Sequence, residues 1–250
     1  MPDIIAGSTD GFVEHDQNDI GVNDGWINCR NSATGSDAKN ATVFSTAGVY
    51  VKKWATDRFQ IRRSFFAFDT SAIECPDDGA ATATLKIYGR TTGTANIIVV
   101  KATKPDLSTG IVQNDFNELT GWNSSFGPSD LTAYSSQVTS WNTSAYNEIT
   151  LNRSARDDMA SLSIFKLALM EYDHDYLGVE YNPGVTGEVA VGMFYNHPNS
   201  LADGKRPTLT YTSGPCGYAH TIIGVPSSNI GEINGLETSL AAEVIGKTNS

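Results

Sequence analysis

Apolar and polar residues alternate with a period of two in short stretches along most of this 250-residue chain, and Gly, Asn, Asp or Pro bound each stretch. Such spacing puts successive side chains on opposite faces of an extended backbone and predicts the strands of an antiparallel sandwich or barrel. The predicted strands lie at 10–15, 25–30, 41–45, 48–55, 60–68, 81–89, 96–103, 134–141, 146–151, 163–172, 187–196 and 207–212, with a loop-rich passage from Pro105 to residue 133. Within 81–89, Ala83, Leu85 and Ile87 share one face while Thr82, Thr84, Lys86 and Tyr88 share the other, so one face is expected to be wet. Ile164–Met170 breaks the alternation, and a strand apolar on both faces belongs in the middle of a packed sheet or under a covering loop. One short helix is predicted at Arg153–Leu162: Ser154 and Asp157 have the spacing of a capping box, and Ala155, Met159 and Leu162 recur at helical intervals.

The last 37 residues follow a different rule. Ile222-Ile223-Gly224-Val225 through Ile230 lines up with Ile233-Asn234-Gly235-Leu236 eleven positions on, and then with Val244-Ile245-Gly246. A single set of apolar residues on short repeated turns cannot bury itself. The chain therefore divides into a β-sandwich domain over 1–213 and a glycine-punctuated tail over 214–250. Ile222, Gly224, Val225, Ile230, Ile233, Gly235, Leu236, Val244 and Gly246 are the candidates for attachment or oligomerisation.

Composition sharpens this picture. Gly, Ser, Thr and Asn fill more than a third of the positions, which favours strands and turns over helices. A net charge of −11 argues against a nucleic-acid partner, which would need a concentrated basic face. No apolar run is long enough for a membrane-spanning helix, so membrane insertion is not expected. The opening MPDIIAGSTD lacks a basic segment followed by an apolar one, so export by the ordinary signal route is not expected either. Cys29, Cys75 and Cys216 are odd in number and widely spaced, which fits neither a disulfide framework nor a zinc cluster.

Motifs for nucleotide, zinc or serine-hydrolase chemistry are absent from the sequence, and neither a cofactor nor a catalytic residue is expected. The densest polar stretch is Glu171-Tyr172-Asp173-His174-Asp175-Tyr176, where Asp173 and Asp175 could ligate calcium or serve as turn residues. Trp122, in the loop-rich passage, is the candidate for stacking on a ligand, with core packing as its alternative; Trp26 and Trp54 are expected in the core. Lys52, Lys53, Arg58, Arg62 and Arg63 concentrate positive charge that could dock an acidic partner or line the wet face of strands.

Arg62-Arg63-Ser64-Phe65-Phe66-Ala67-Phe68-Asp69-Thr70-Ser71-Ala72-Ile73, followed by Ala81-Thr82-Ala83-Thr84-Leu85-Lys86-Ile87-Tyr88, resembles the DNRLRE-type jelly-roll modules. Arg206-Pro207-Thr208-Leu209-Thr210-Tyr211-Thr212 looks like the last strand of the same module, so the resemblance covers roughly residues 10–212. The opening Asp10-Gly11-Phe12-Val13 and the tail are similar to versions found in bacteriophage structural proteins. The resemblance implies a jelly-roll-like antiparallel β-sandwich displayed on a virion, as a capsid decoration, head fibre or tail appendage. It would be made in the host cytoplasm and partnered by capsid or tail proteins and sister subunits. Related modules bind polysaccharide, which adds adhesion to a host-surface glycan as a secondary role. The alternative is a secreted carbohydrate-binding module or polysaccharide-acting enzyme.

Overall fold

The computed structural model describes residues 3–17, 25–42, 44, 46–54, 58–73, 81–92, 95–123, 130–184, 186–197 and 204–212, with two short strands at 232–233 and 236–237. In chain order its elements are β1 (Ile4–Ile5), β2 (Gly11–Gln17), α1 (Gly25–Asn31), β3 (Asp37–Asn40), β4 (Thr46–Lys53), β5 (Phe59–Asp69), β6 (Thr82–Thr92) and β7 (Ile97–Lys101). They continue with β8 (Tyr146–Thr150), α2 (Arg153–Ser161), β9 (Ile164–Glu171), β10 (Gly187–Phe194), β11 (Thr208–Thr212), β12 (Glu232–Ile233) and β13 (Leu236–Glu237). The fold is all-β and antiparallel, sandwich-like, as the alternation predicts.

Eleven strands form one continuous sheet that runs β1-β11-β6-β10-β4-β5-β2-β3, with β8 joined to β6 and β9 and β7 joined in turn to β5. β5 is the hub. Along one flank it pairs with β2 (Phe59–Phe65); along the other it pairs first with β4 (Phe59–Arg62) and then with β9 (Ser64–Asp69). Its odd and even residues feed two separate cores. Phe66 and Phe68 join Leu85, Ile87, Val99, Leu167, Leu169 and Tyr211 in the larger one. Ile61 and Phe65 join Trp26, Ile98, Val100, Phe116, Ala168 and Met170 in the second. This is why β7 and β9 read as continuous apolar runs: both of their faces are covered, one by the opposing layer and the other by α1 and the loops between residues 102 and 134. β6 has the wet face its alternation predicts, with Ala83, Leu85 and Ile87 buried and Thr84, Lys86 and Tyr88 half-buried.

Four sequence expectations need correction. Residues 25–30 form the helix α1 rather than a strand, because Trp26, Cys29 and Arg30, at helical spacing, are the residues that enter the second core. The strand expected at 41–45 lies earlier, at Asp37–Asn40; Ala41 and Thr42 are a turn in which Asn40 Oδ1 accepts from the Thr42 N–H at 3.1 Å. The stretch 134–141 is no regular strand: Val138 makes a single bridge to Ile97, and Ser135 Oγ accepts the Val99 N–H at 3.1 Å. α2 occupies its expected place, but its cap is Asn152, whose side chain accepts from Ala155 N, so Ser154 falls within the first turn.

Most of the tail, including Ile222, Gly224, Val225, Ile230, Gly235, Val244 and Gly246, lies outside the described residues. The exception is one antiparallel pair in which Ile233 opposes Leu236 and Glu232 opposes Glu237.

Candidate functional site

Trp122 and Asp175, both singled out in the sequence, meet Arg63 in a buried knot under the second core. Arg63 projects from β5 and is fully buried together with Asp175. Its Nε and Nη2 donate to Asp175 Oδ2 and Oδ1 at 2.8 and 2.6 Å. Its Nη1 donates to the Phe116 carbonyl and Asn117 Oδ1, both at 2.7 Å, and Nη2 also reaches the Arg30 carbonyl at 3.2 Å. All five guanidinium donors are thereby used. The planar group lies between the Phe116 ring at 4.1 Å and the Trp122 ring at 4.2 Å, and Trp122 also covers Arg30 at 4.6 Å. Trp122 is therefore placed as packing over two cations.

Asp175 as a calcium ligand is corrected by this geometry, since a fork-to-fork pair with Arg63 occupies both carboxylate oxygens. Asp173 is drawn elsewhere and accepts Asn96 Nδ2 at 2.6 Å. Among the described residues, no three His, Cys, Asp or Glu side chains form a metal-holding group. Glu171, which the sequence offered only as a neighbour, organises the turn Tyr172–Tyr176. Its carboxylate accepts the N–H groups of Asp173, His174 and Asp175 and the side chain of Asn96. Burial nevertheless pushes Glu171 up to about 7, against the lowering effect of those donors. Burial likewise raises the Cys29 thiol.

The basic run is largely neutralised within the fold. Besides Arg63, Arg62 pairs with Glu14, Arg58 with Asp16 and Lys52 with Glu188. Trp54 is not core: it stands 38% exposed beyond the end of β4, with Lys52 Nζ 3.8 Å from its ring centre. Trp26 is buried as expected.

Among the described residues are two open pockets. One of about 450 Å³ is lined by Glu14, Asp16, Ser36, Asp37 and Arg58, near the β2–β3 edge. The other, about 480 Å³, lies between Ser136–Ser140 and Glu148–Asn152, with Arg156 at its side. Sequence reasoning missed both, because their walls come from segments brought together only by sheet pairing. The Ser/Thr-rich alternation of 135–143 was the one local signal for the second. Comparison with protein-family models gives no match, and comparison with curated proteins gives no significant match.

Proposed function

We propose that this chain is a non-enzymatic bacteriophage virion protein, a capsid decoration, head fibre or tail appendage. Its β-sandwich is displayed and its C-terminal repeat fixes it to capsid or tail proteins or to sister subunits. The observation that carries this reading is how the sandwich hands over to the repeat. β11, the last strand of the sandwich, is held on one side by five residues of β6 and on the other by β1, so the tail starts from a firmly seated strand. An eleven-residue repeat whose apolar residues cannot bury themselves, following such a strand in the sequence, has the properties of an anchor.

The strands that carry the resemblance to DNRLRE-type modules are also structurally central, which supports the same reading. Phe66, Phe68 and Ile73 of the first motif enter the larger core, Arg63 anchors the buried knot, and Asp69 Oδ1 accepts the Ser71 N–H at 3.1 Å in the turn that follows. The second and third motifs pair with each other as β6 and β11. Symmetric assembly would multiply weak contacts, so adhesion to a host-surface glycan needs only modest affinity at each subunit.

Deletion of 214–250 tests the reading. The expected product is a folded sandwich with an unchanged melting transition that no longer oligomerises or joins particles. A truncated chain that still assembles fully would overturn the anchoring role.

A further inference from the structure

Among the described residues, one edge of the sheet presents unpaired backbone groups to an open slot. The Leu151 N–H donates to the Ala83 carbonyl and the Gly89 N–H to the Ala145 carbonyl, so the odd-numbered residues of β8 face β6. Glu148 and Thr150 therefore turn their N–H and C=O groups away from β6, and among the described strands β6 is the one neighbour of β8. Asn152, next in that series, does meet a partner: its N–H donates to the Tyr134 carbonyl at 2.8 Å and its Nδ2 to the Ala133 carbonyl at 2.7 Å. From there segment 133–142 runs beside β8 in the opposite direction. At its far end the Asn142 N–H donates to Asn147 Oδ1 at 2.6 Å, and Asn147 Nδ2 donates to the Asn142 carbonyl at 2.9 Å. Between the two ties Val138 is diverted into its bridge with Ile97, and the slot of about 480 Å³ is left open.

The lining has two characters. Ile149 and Leu151 are buried, whereas Ser136, Thr139, Ser140 and Thr150 are exposed. Nearby charges are already engaged: Glu148 lies 3.7 Å from Lys86, and Arg156 Nη1 donates to the Leu151 carbonyl at 3.3 Å.

We propose that this slot binds a neutral sugar residue; the proposal rests on the surface-display reading and gives it a site. Hydroxyl side chains and edge peptide groups offer donors and acceptors side by side, the pattern that sugar hydroxyls present in return. Half-buried Val138, rather than the buried Ile149 and Leu151, is the apolar lining side chain left accessible to the C–H face of a ring. The volume falls within the range of small-ligand sites. A through-running peptide strand is disfavoured, since it would have to break the tie at each end. With the charges engaged, nothing calls for an ionic ligand.

Amide resonances of the isotopically labelled full chain, followed while the methyl glycosides of glucose, galactose, mannose and N-acetylglucosamine are added to millimolar concentration, test this. Saturable shifts confined to Ser136–Ser140 and Glu148–Asn152 are expected with at least one glycoside. Thr150→Trp, at an exposed strand position that tolerates an aromatic, fills the slot and should abolish them; Ser140→Trp serves if that variant misfolds. Trp54→Ala should leave them intact. The slot assignment is overturned if none of the four glycosides gives saturable shifts, or if the shifts persist in Thr150→Trp. It is equally overturned if they vanish in Trp54→Ala instead, which would move adhesion to the exposed tryptophan. Shifts from an extended Ser/Thr peptide but from no glycoside would overturn it in favour of strand addition at β8. None of these results bears on the tail deletion, which judges attachment separately.

Discussion

Arg63 shows what a single residue can commit a fold to. A fully buried cation is tolerated only because Asp175 neutralises it and every donor is satisfied. Asp175→Ala leaves Arg63 and Arg30 facing each other without the carboxylate, and should cost about 3–5 kcal/mol in denaturant unfolding. Replacing both Arg63 and Asp175 by leucine should recover much of that loss, because the desolvation penalty disappears with the charges. Glu171 makes a prediction in pH. Its folded value of about 7 lies above its ordinary 4.5, so between those values the native state holds a proton the unfolded chain has released. Stability therefore falls as pH rises through that window and levels off above it, by up to about 3 kcal/mol. Unfolding midpoints at pH 5 and pH 8 measure the effect, and Glu171→Gln should flatten the difference. Neither residue's partnership could be read locally: Arg63 and Asp175 are 112 positions apart, and nothing in the spacing of either announces the other.

Among the elements, those with an unambiguous period were legible and those shaped by a distant partner were not. β5, β6, β9 and β11 could be read because alternation, or its loss, translates directly into which faces are covered. α1 was misread because Trp26 and Arg30 alternate with Ile27 and Cys29 as a strand would, while the contacts that chose the helix come from β5 and the loop at Phe116. Segment 134–141 was misread because the Ser135 hydroxyl takes the Val99 N–H that a ladder would have occupied. Two substitutions test how these elements are pinned. Asn152→Ala removes the cap of α2 and one tie of the neighbouring segment, and should cost about 1–2 kcal/mol of stability. Gly89→Ala would place a methyl group 1.8 Å from the Asn142 carbonyl oxygen, and should cost about 1–3 kcal/mol while displacing the loop at Asn142. Unfolding curves report the first quantity, and amide shifts at Trp141–Asn147 report the second.

At the scale of the molecule, β5, β7 and β9 each give one face to either core, so neither core can empty without stripping the strands of the other. Calorimetry should therefore show one cooperative transition for residues 1–213, with van't Hoff and calorimetric enthalpies in agreement; two resolved transitions would contradict it. The seating of β11 has a mechanical consequence. Thr212 is paired with Thr82 and the strand continues back to Thr208 against Lys86, so a pull on the C-terminus directed along the strand strains the whole ladder together instead of opening it rung by rung. In the proposed display role, drag on the slab by flow or by a host surface would load this seam in shear, the direction in which an antiparallel pair resists most.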